Sequence, residues 1–428
     1  MTPRIFPSAR GRLRAGLFPE GFLWGAATAS HQIEGGQHND WSEWEAANAE
    51  RLAAESEASF RWNPNWKKFE KEAIDPANYL SGIACDSWNR YEEDFDILSE
   101  LHLKAYRFSI EWSRIEPEEG VFDETAIDRY RQMIRSLRAR GIEPFVTLWH
   151  WTLPLWLSER GGTTASDFPE RFRIYTEKIV SSLGNDVKFW ITLNEPDVVS
   201  SHAYMKGAWP PQKKSVRLFL KSIHRLIDAH RLAYATIKEN FPEAQIGIAK
   251  HQVVFEMVRP TPVNRALKAA ADYGWNLYFL NRIGKHQDFI GLNHYNRNVI
   301  DNGFGKNPNE RQTDFGWEFH PESIYQALME LRRYGKPIYI TENGLADASD
   351  ELRREFIPRA LAAMHHAIAD GVDVRGYFYW SLLDNFEWDK GYWLRFGLVA
   401  VDRTTQGRAI RESARAYARI AETNTLES

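Results

Sequence analysis

Two short runs each set a glutamate where an apolar segment ends: Thr192-Leu193-Asn194-Glu195-Pro196 and Ile340-Thr341-Glu342-Asn343-Gly344. A carboxylate taken out of water without partners is strongly destabilised or shifts its pKa. Two such glutamates, each beside an asparagine, are therefore expected to work as a pair. Paired carboxylates divide the labour of acid and nucleophile, which is what cleavage of a glycosidic bond requires. Other polar side chains fall at or just beyond the ends of apolar runs: Gln32, Arg107, His150, Asn194, Asn293, Tyr295, Glu387 and Trp388. Singly, such residues read as a satisfied core histidine or an arginine at a sheet end. Together they outline one site.

The elements that must position them recur along the chain. Short apolar runs at 22–29, 105–110, 144–149, 189–193, 246–249, 289–292, 337–340 and 376–380 alternate with helical patterns at 127–140, 169–183, 216–240, 323–334 and 353–370. Strands alternating with helices predict parallel βαβ units, and eight units in one chain predict a closed α/β (β/α)₈ TIM barrel. With no linker composition, residues 1–428 read as a single catalytic barrel, and 1–16 as a flexible basic segment ahead of it. In such barrels catalytic groups gather at the C-terminal strand ends. Side chains alternate faces along a strand. Phe189, Ile191, Leu193 and Glu195 are thus expected on one face, as are Ile338, Ile340 and Glu342, and Val146, Leu148 and His150. These rows are expected to fill the barrel interior. The polar, aromatic stretch 35–88 predicts a large loop with some helix, and 251–288 an abbreviated unit.

Bulk properties exclude several classes. A net charge of −4 gives no electrostatic reason for a nucleic acid or an anionic membrane as partner. One cysteine, Cys85, rules out an internal disulfide framework and reads as a small buried hydrophobe in a reducing compartment. The first twenty residues hold four arginines and no apolar core of the secretory type, and no apolar run is long enough to span a bilayer. A cytoplasmic location is the expectation. Trp41, Trp44, Trp62, Trp66, Trp317 and Trp388 stand in polar surroundings, where an indole's flat face and single N–H suit a sugar.

Longer motifs resemble a known family across nearly the whole chain. Phe18-Pro19-Glu20-Gly21-Phe22-Leu23-Trp24-Gly25 leads to Gln32-Ile33-Glu34-Gly35. Tyr106-Arg107-Phe108-Ser109-Ile110-Glu111-Trp112-Ser113-Arg114-Ile115 and Val146-Thr147-Leu148-Trp149-His150-Trp151 follow. Trp380-Ser381-Leu382-Leu383-Asp384-Asn385-Phe386-Glu387-Trp388 and Arg395-Phe396-Gly397-Leu398-Val399 complete the series. This ordered set is similar to glycoside hydrolase family 1, the β-glucosidase family. The resemblance implies a retaining exo-β-glycosidase that needs no metal or cofactor and acts on terminal β-D-glucosyl residues of oligosaccharides or of aryl and alkyl glucosides. It implies Glu342 as nucleophile and Glu195 as acid/base, with Arg107, Tyr295 and Asn293 supporting the nucleophile. It further implies that Gln32, His150, Trp151, Asn194, Trp317, Trp380, Glu387, Trp388 and Phe396 bind substrate. Homo-oligomers remain compatible with it.

Departures from the family pattern sharpen these expectations. Glu387 stands where phospho-sugar members hold a phosphate, so unphosphorylated substrates are expected, with side activity on β-galactosides and β-fucosides. Glu195 is intact, unlike in thioglucosidases. His294, in place of the usual tyrosine, is expected to alter the pH optimum, and Asp197 to raise the acid's pKa. A short 251–288 segment is expected to open the rim. A transglycosylase on the same residues and a non-catalytic sugar-binding barrel are the alternatives.

Overall fold

The computed structural model describes residues 16–426. The basic segment expected at 1–16 lies, apart from Gly16, outside them. Eight strands pair in parallel: β1 (Leu23–Ala27), β2 (Ala105–Ser109), β3 (Glu143–Trp149), β4 (Phe189–Asn194), β5 (Gln245–His251), β6 (Ile290–Asn293), β7 (Ile338–Asn343) and β8 (Val374–Trp380). Each strand bonds its sequence neighbours, and β8 closes on β1 through Leu23–Gly376 to Ala27–Trp380. The result is the expected (β/α)₈ barrel.

Helices form the outer ring for legible reasons. In the helix Glu124–Ala139, Ile127, Tyr130, Ile134 and Leu137 recur at helical spacing and are buried, while Asp123 caps the N–H groups of Thr125 and Ala126. Val216–Asn240 matches the expected 216–240 and starts at the Ser215 cap. Two expectations change. The stretch 35–88 is largely helical, led by Asp40–Phe60, whose Asn39/Ser42 capping box fixes its start. Its buried face carries Glu45, Asn48 and Ser56 among tryptophans and alanines, so hydrophobic periodicity is weak there. The 251–288 unit also keeps helices, Pro262–Ala271 and Tyr278–Ile283, joined by a π-helical turn at Asp272–Leu277. Among the described residues no helix is long and apolar enough to cross a membrane.

The barrel interior differs from the simple alternation. Its floor is aromatic: Phe145 stacks on Phe189 at 4.2 Å, with Phe378 at 4.7 Å and Tyr339 at 5.2 Å edge-on. Gly25 and Gly247 make room, because a Cβ there would meet the rings of Phe378 and Phe289 at 2.8 and 2.7 Å. Leu193, Val146, Leu148, Ile338 and Ile340, expected inside, instead pack outward with the helices. Phe145, Thr147, Tyr339 and Thr341 take the inward positions of β3 and β7, so Val146, Leu148, Ile338 and Ile340 face out from the start, and two register slips account for the rest. Pairing of β4 with β5 shifts between Ile191 and Asn194, and β7 shifts against β6 and β8 beyond Ile340. Such irregularities rotate the following side chain to the other face. In β4 the slip leaves Leu193 facing out between inward Ile191 and Asn194, and in β7 it turns Glu342 into the mouth after outward Ile338 and Ile340.

Candidate active site

Arg107, fully buried in the middle of β2, organises the mouth. Its Nε donates to Thr147 Oγ1 at 3.1 Å and its Nη2 to Asn194 Oδ1 at 2.7 Å. Its Nη1 donates to the Thr341 carbonyl at 3.2 Å and pairs with Glu342 Oε1. The Tyr295 hydroxyl donates to the other oxygen, Oε2, at 2.7 Å. Burial pushes the Glu342 carboxyl up, but Arg107 and Tyr295 favour its charged form.

Glu195 has a poorer set of partners. Asn293 Nδ2 donates to its Oε1 at 2.8 Å, and no cation touches it among the described residues. Burial first, then the charge of Glu342, pushes its pKa to about 8. With a cation and a hydroxyl on Glu342 and only an amide on Glu195, this geometry favours a shared proton on Glu195. Asn293 also bonds Asn194 Oδ1 at 3.1 Å and helps to lower the Glu342 pKa, so it serves both carboxyls.

The remaining polar groups are fixed but incompletely used. His150 is buried, and desolvation followed by the Arg107 charge keeps it neutral, with its pKa well below the usual value. Its Nε2 accepts from Asn194 Nδ2 at 3.0 Å, so the proton sits on Nδ1, which is buried with no protein partner. Gln32 donates to the Phe386 carbonyl at 2.7 Å and to Asn385 at 3.1 Å, which leaves its buried Oε1 unpartnered. Buried polar atoms rarely stay unpaired, so a donor and an acceptor await a ligand. Glu387 is pushed to about 8, by burial and then by Glu342.

Aromatic rings make the walls. Trp388 lies nearly parallel to His150 at 5.9 Å and to His31 at 5.5 Å. Trp380 stacks on His150 at 5.9 Å, while Tyr295, Trp317 and Phe396 group on another side. Trp151, Glu195 and Trp388 all have left-handed backbones, with φ of 83°, 44° and 51°. Such conformations cost about 1–3 kcal/mol each and cluster at functional sites. Both glutamates and these rings line one cavity of about 370 Å³.

The structure thus brings together all fourteen residues singled out from the sequence, most of them on the cavity wall and the rest, Gln32, Arg107, Asn194 and Asn293, bonded to it. Other expectations are corrected. Asp197 pairs with buried Lys250 at 2.9 Å, and Lys250 lowers the Glu195 pKa, so the anticipated upward push is neutralised. His294 bonds the Gln252 carbonyl and Ser323, and burial lowers its pKa to about 4; it is a buried structural group without charge near neutrality. Trp41, Trp44 and Trp66 are core residues, and Trp62 is exposed. Sequence reasoning missed His202, Lys206, Trp209, Trp275 and Lys390 on the cavity wall. They sit in a loop, a 3₁₀ turn and π-helical turns, where no hydrophobic period reveals facing.

Comparison with known proteins places the chain in one family. The model of glycosyl hydrolase family 1 matches residues 14–280 and 264–426. Beta-glucosidase A of Thermotoga maritima is 34% identical, the alignment covering 96% of this chain and 99% of that protein. Among solved structures, the beta-glycosidase from Pyrococcus horikoshii superposes with a TM-score of 0.86 at 37% identity, covering 97% of each chain. The Thermotoga maritima beta-glucosidase in complex with glucoimidazole gives 0.83 at 32% identity, covering 96% of this chain and all of that one.

Proposed function

The chain belongs to glycosyl hydrolase family 1 and is a retaining β-glucosidase; on that premise we propose that Glu342 is its nucleophile and Glu195 its acid/base. Glu342 attacks the anomeric carbon while the bond to the leaving oxygen breaks and Glu195 delivers its proton to that oxygen. A covalent glycosyl–Glu342 ester results. Its formation removes the Glu342 charge, so the Glu195 pKa falls and its carboxylate becomes a base. Water then gives its proton to Glu195 as it attacks the anomeric carbon, and Glu342 leaves. Two inversions at one carbon give net retention.

The observation that carries this reading is the inequality of the two carboxyls. Glu342 lies between Arg107 and Tyr295, and Glu195 has one neutral amide and a pKa of about 8. In the same reading Asn194 meets the sugar's 2-hydroxyl. Gln32 Oε1, His150 Nδ1–H, Trp151, Glu387 and Trp388 take the other hydroxyls, which makes the action exo. Trp380 lies beneath the ring, and Trp317 and Phe396 face the leaving group. Residues 1–428 act as one catalytic unit on unphosphorylated aryl, alkyl or oligosaccharide β-glucosides, with β-galactosides and β-fucosides as side substrates. The single Cys85 favours the cytoplasm. Proton NMR of the first sugar released from an aryl β-glucoside tests the mechanism. The β-anomer is expected, and an initial α-anomer would overturn it.

A further inference from the structure

The chain leaves Glu195 through the helical turn Pro196–Ser200 and then a π-helical turn, Ser201–Lys206. Glu195, Val198, His202 and Lys206 along it all line the cavity. A leaving group whose bridging oxygen meets Glu195 is therefore carried past this wall. π-Helical turns are frequent at functional sites, and a second one, Asp272–Leu277, brings Trp275 to the same cavity.

Lys206 is the unusual member of the wall. Its Nζ lies 3.1 Å from His202 Nε2, and among the described residues no carboxylate oxygen comes within 4.0 Å. Burial, and after it the charge of Lys206, lowers the His202 pKa to about 4, so the ring is neutral. Its Nδ1 faces the Val198 carbonyl at 3.0 Å and so carries the hydrogen. Nε2 then accepts one of three ammonium hydrogens and leaves two free. The neighbouring ammonium, Lys390, is paired with Asp389 Oδ2 at 2.6 Å. Asp389 acts on Lys206 only at longer range, so two ammoniums share this one carboxylate and the Lys206 charge is partly uncompensated. Flat apolar faces lie on the same cavity: Trp275, Phe315 and Trp317, the last two stacked at 4.0 Å.

From the free ammonium on the acid/base wall and the aromatic faces beside it, we propose that the enzyme selects β-glucosides whose leaving group is an aromatic ring bearing a carboxylate. The ring occupies the indole-lined part of the mouth, and its carboxylate accepts from Lys206 Nζ. This inference rests on the β-glucosidase reading and adds a leaving-group class to it. It does not concern a phosphate on the sugar.

A matched pair of substrates tests it: 4-carboxyphenyl and 4-carbamoylphenyl β-D-glucosides, compared by kcat/KM in the wild type, Lys206→Gln and Lys206→Arg. Differences in leaving-group acidity cancel when the carboxylate-to-amide ratio is compared between enzymes. A charged hydrogen bond at a half-open rim predicts that the ratio falls about tenfold in Lys206→Gln, mainly through KM. Lys206→Arg keeps most of it, and added salt erodes it in the wild type. An unchanged ratio in Lys206→Gln overturns the inference while leaving the glucosidase reading intact. Failure of the wild type to cleave either glucoside overturns both.

Discussion

The floor and the mouth of the barrel are built by the same strands only a few residues apart, yet they are held in opposite ways. In β3 the floor residue Phe145 and the mouth residue Thr147 are separated by one position, as are Tyr339 and Thr341 in β7. The floor is a set of aromatic rings packed at 4.2 to 5.5 Å, where stabilisation follows buried area and no atom needs a particular partner. The mouth is a chain of directed bonds through Arg107, Asn194, Asn293 and the two glutamates. Removing one member there strands its partner in a low-dielectric site. The floor therefore supports stability, and the mouth spends polar groups on reactivity.

That division can be broken by mutation, and the largest effects belong to the mouth. Glu342→Ala should lower kcat by at least about 10⁴-fold, as loss of a nucleophile does. Azide or formate should restore turnover with an α-glycosyl product; near-normal turnover without rescue would remove Glu342 from its assigned role. Glu195→Ala should cost about 10² to 10⁴-fold, most for poor leaving groups. There azide should yield a β-glycosyl product, and an α-product would reverse the two assignments.

Phe145→Ala tests the floor. Its cavity should destabilise the protein by about 3–5 kcal/mol in denaturant unfolding while the folded fraction keeps most of its kcat. If kcat collapsed with stability intact, floor and mouth would not be separable. Tyr295→Phe should act on a smaller scale, about 1–3 kcal/mol of transition-state stabilisation. The lost hydroxyl favoured the charged Glu342, so the acidic limb of kcat/KM should move to higher pH. The wild-type alkaline limb should lie near 8, because activity is lost as Glu195, at about 8, gives up its proton. A limb that stays put in Glu195→Gln would assign that titration to another group.

Much of this was legible in the chain. Strand–helix alternation gave the barrel, because eight apolar runs separated by helical periods have few other ways to bury both faces of a parallel sheet. The glutamates stood out because a carboxylate at a strand end has little reason to be there without a partner. The helix Asp40–Phe60 was less legible, since its buried Glu45 and Asn48 hide the hydrophobic period. Lys206, His202 and Trp275 were invisible for a related reason: irregular turns have no period that says which way a side chain points.

The sequence by itself determined the element order, the fold class and the identity of the paired carboxyls, because these follow from local pattern and from the cost of placing charge at strand ends. Tertiary structure decided which way those carboxyls point and which holds the proton. Simple alternation would have carried the outward Ile338 and Ile340 on to Glu342 and left that carboxyl on the helix side, whereas Phe189 and Ile191 already point inward ahead of Glu195. A register slip in β7 turns Glu342 inward, and such slips arise from pairing with neighbouring strands. Only the closed barrel then sets Arg107 of β2 and Tyr295 beyond β6 on one glutamate and leaves the other with an amide. Electrostatic inequality depends on distances between strands that the linear chain does not specify.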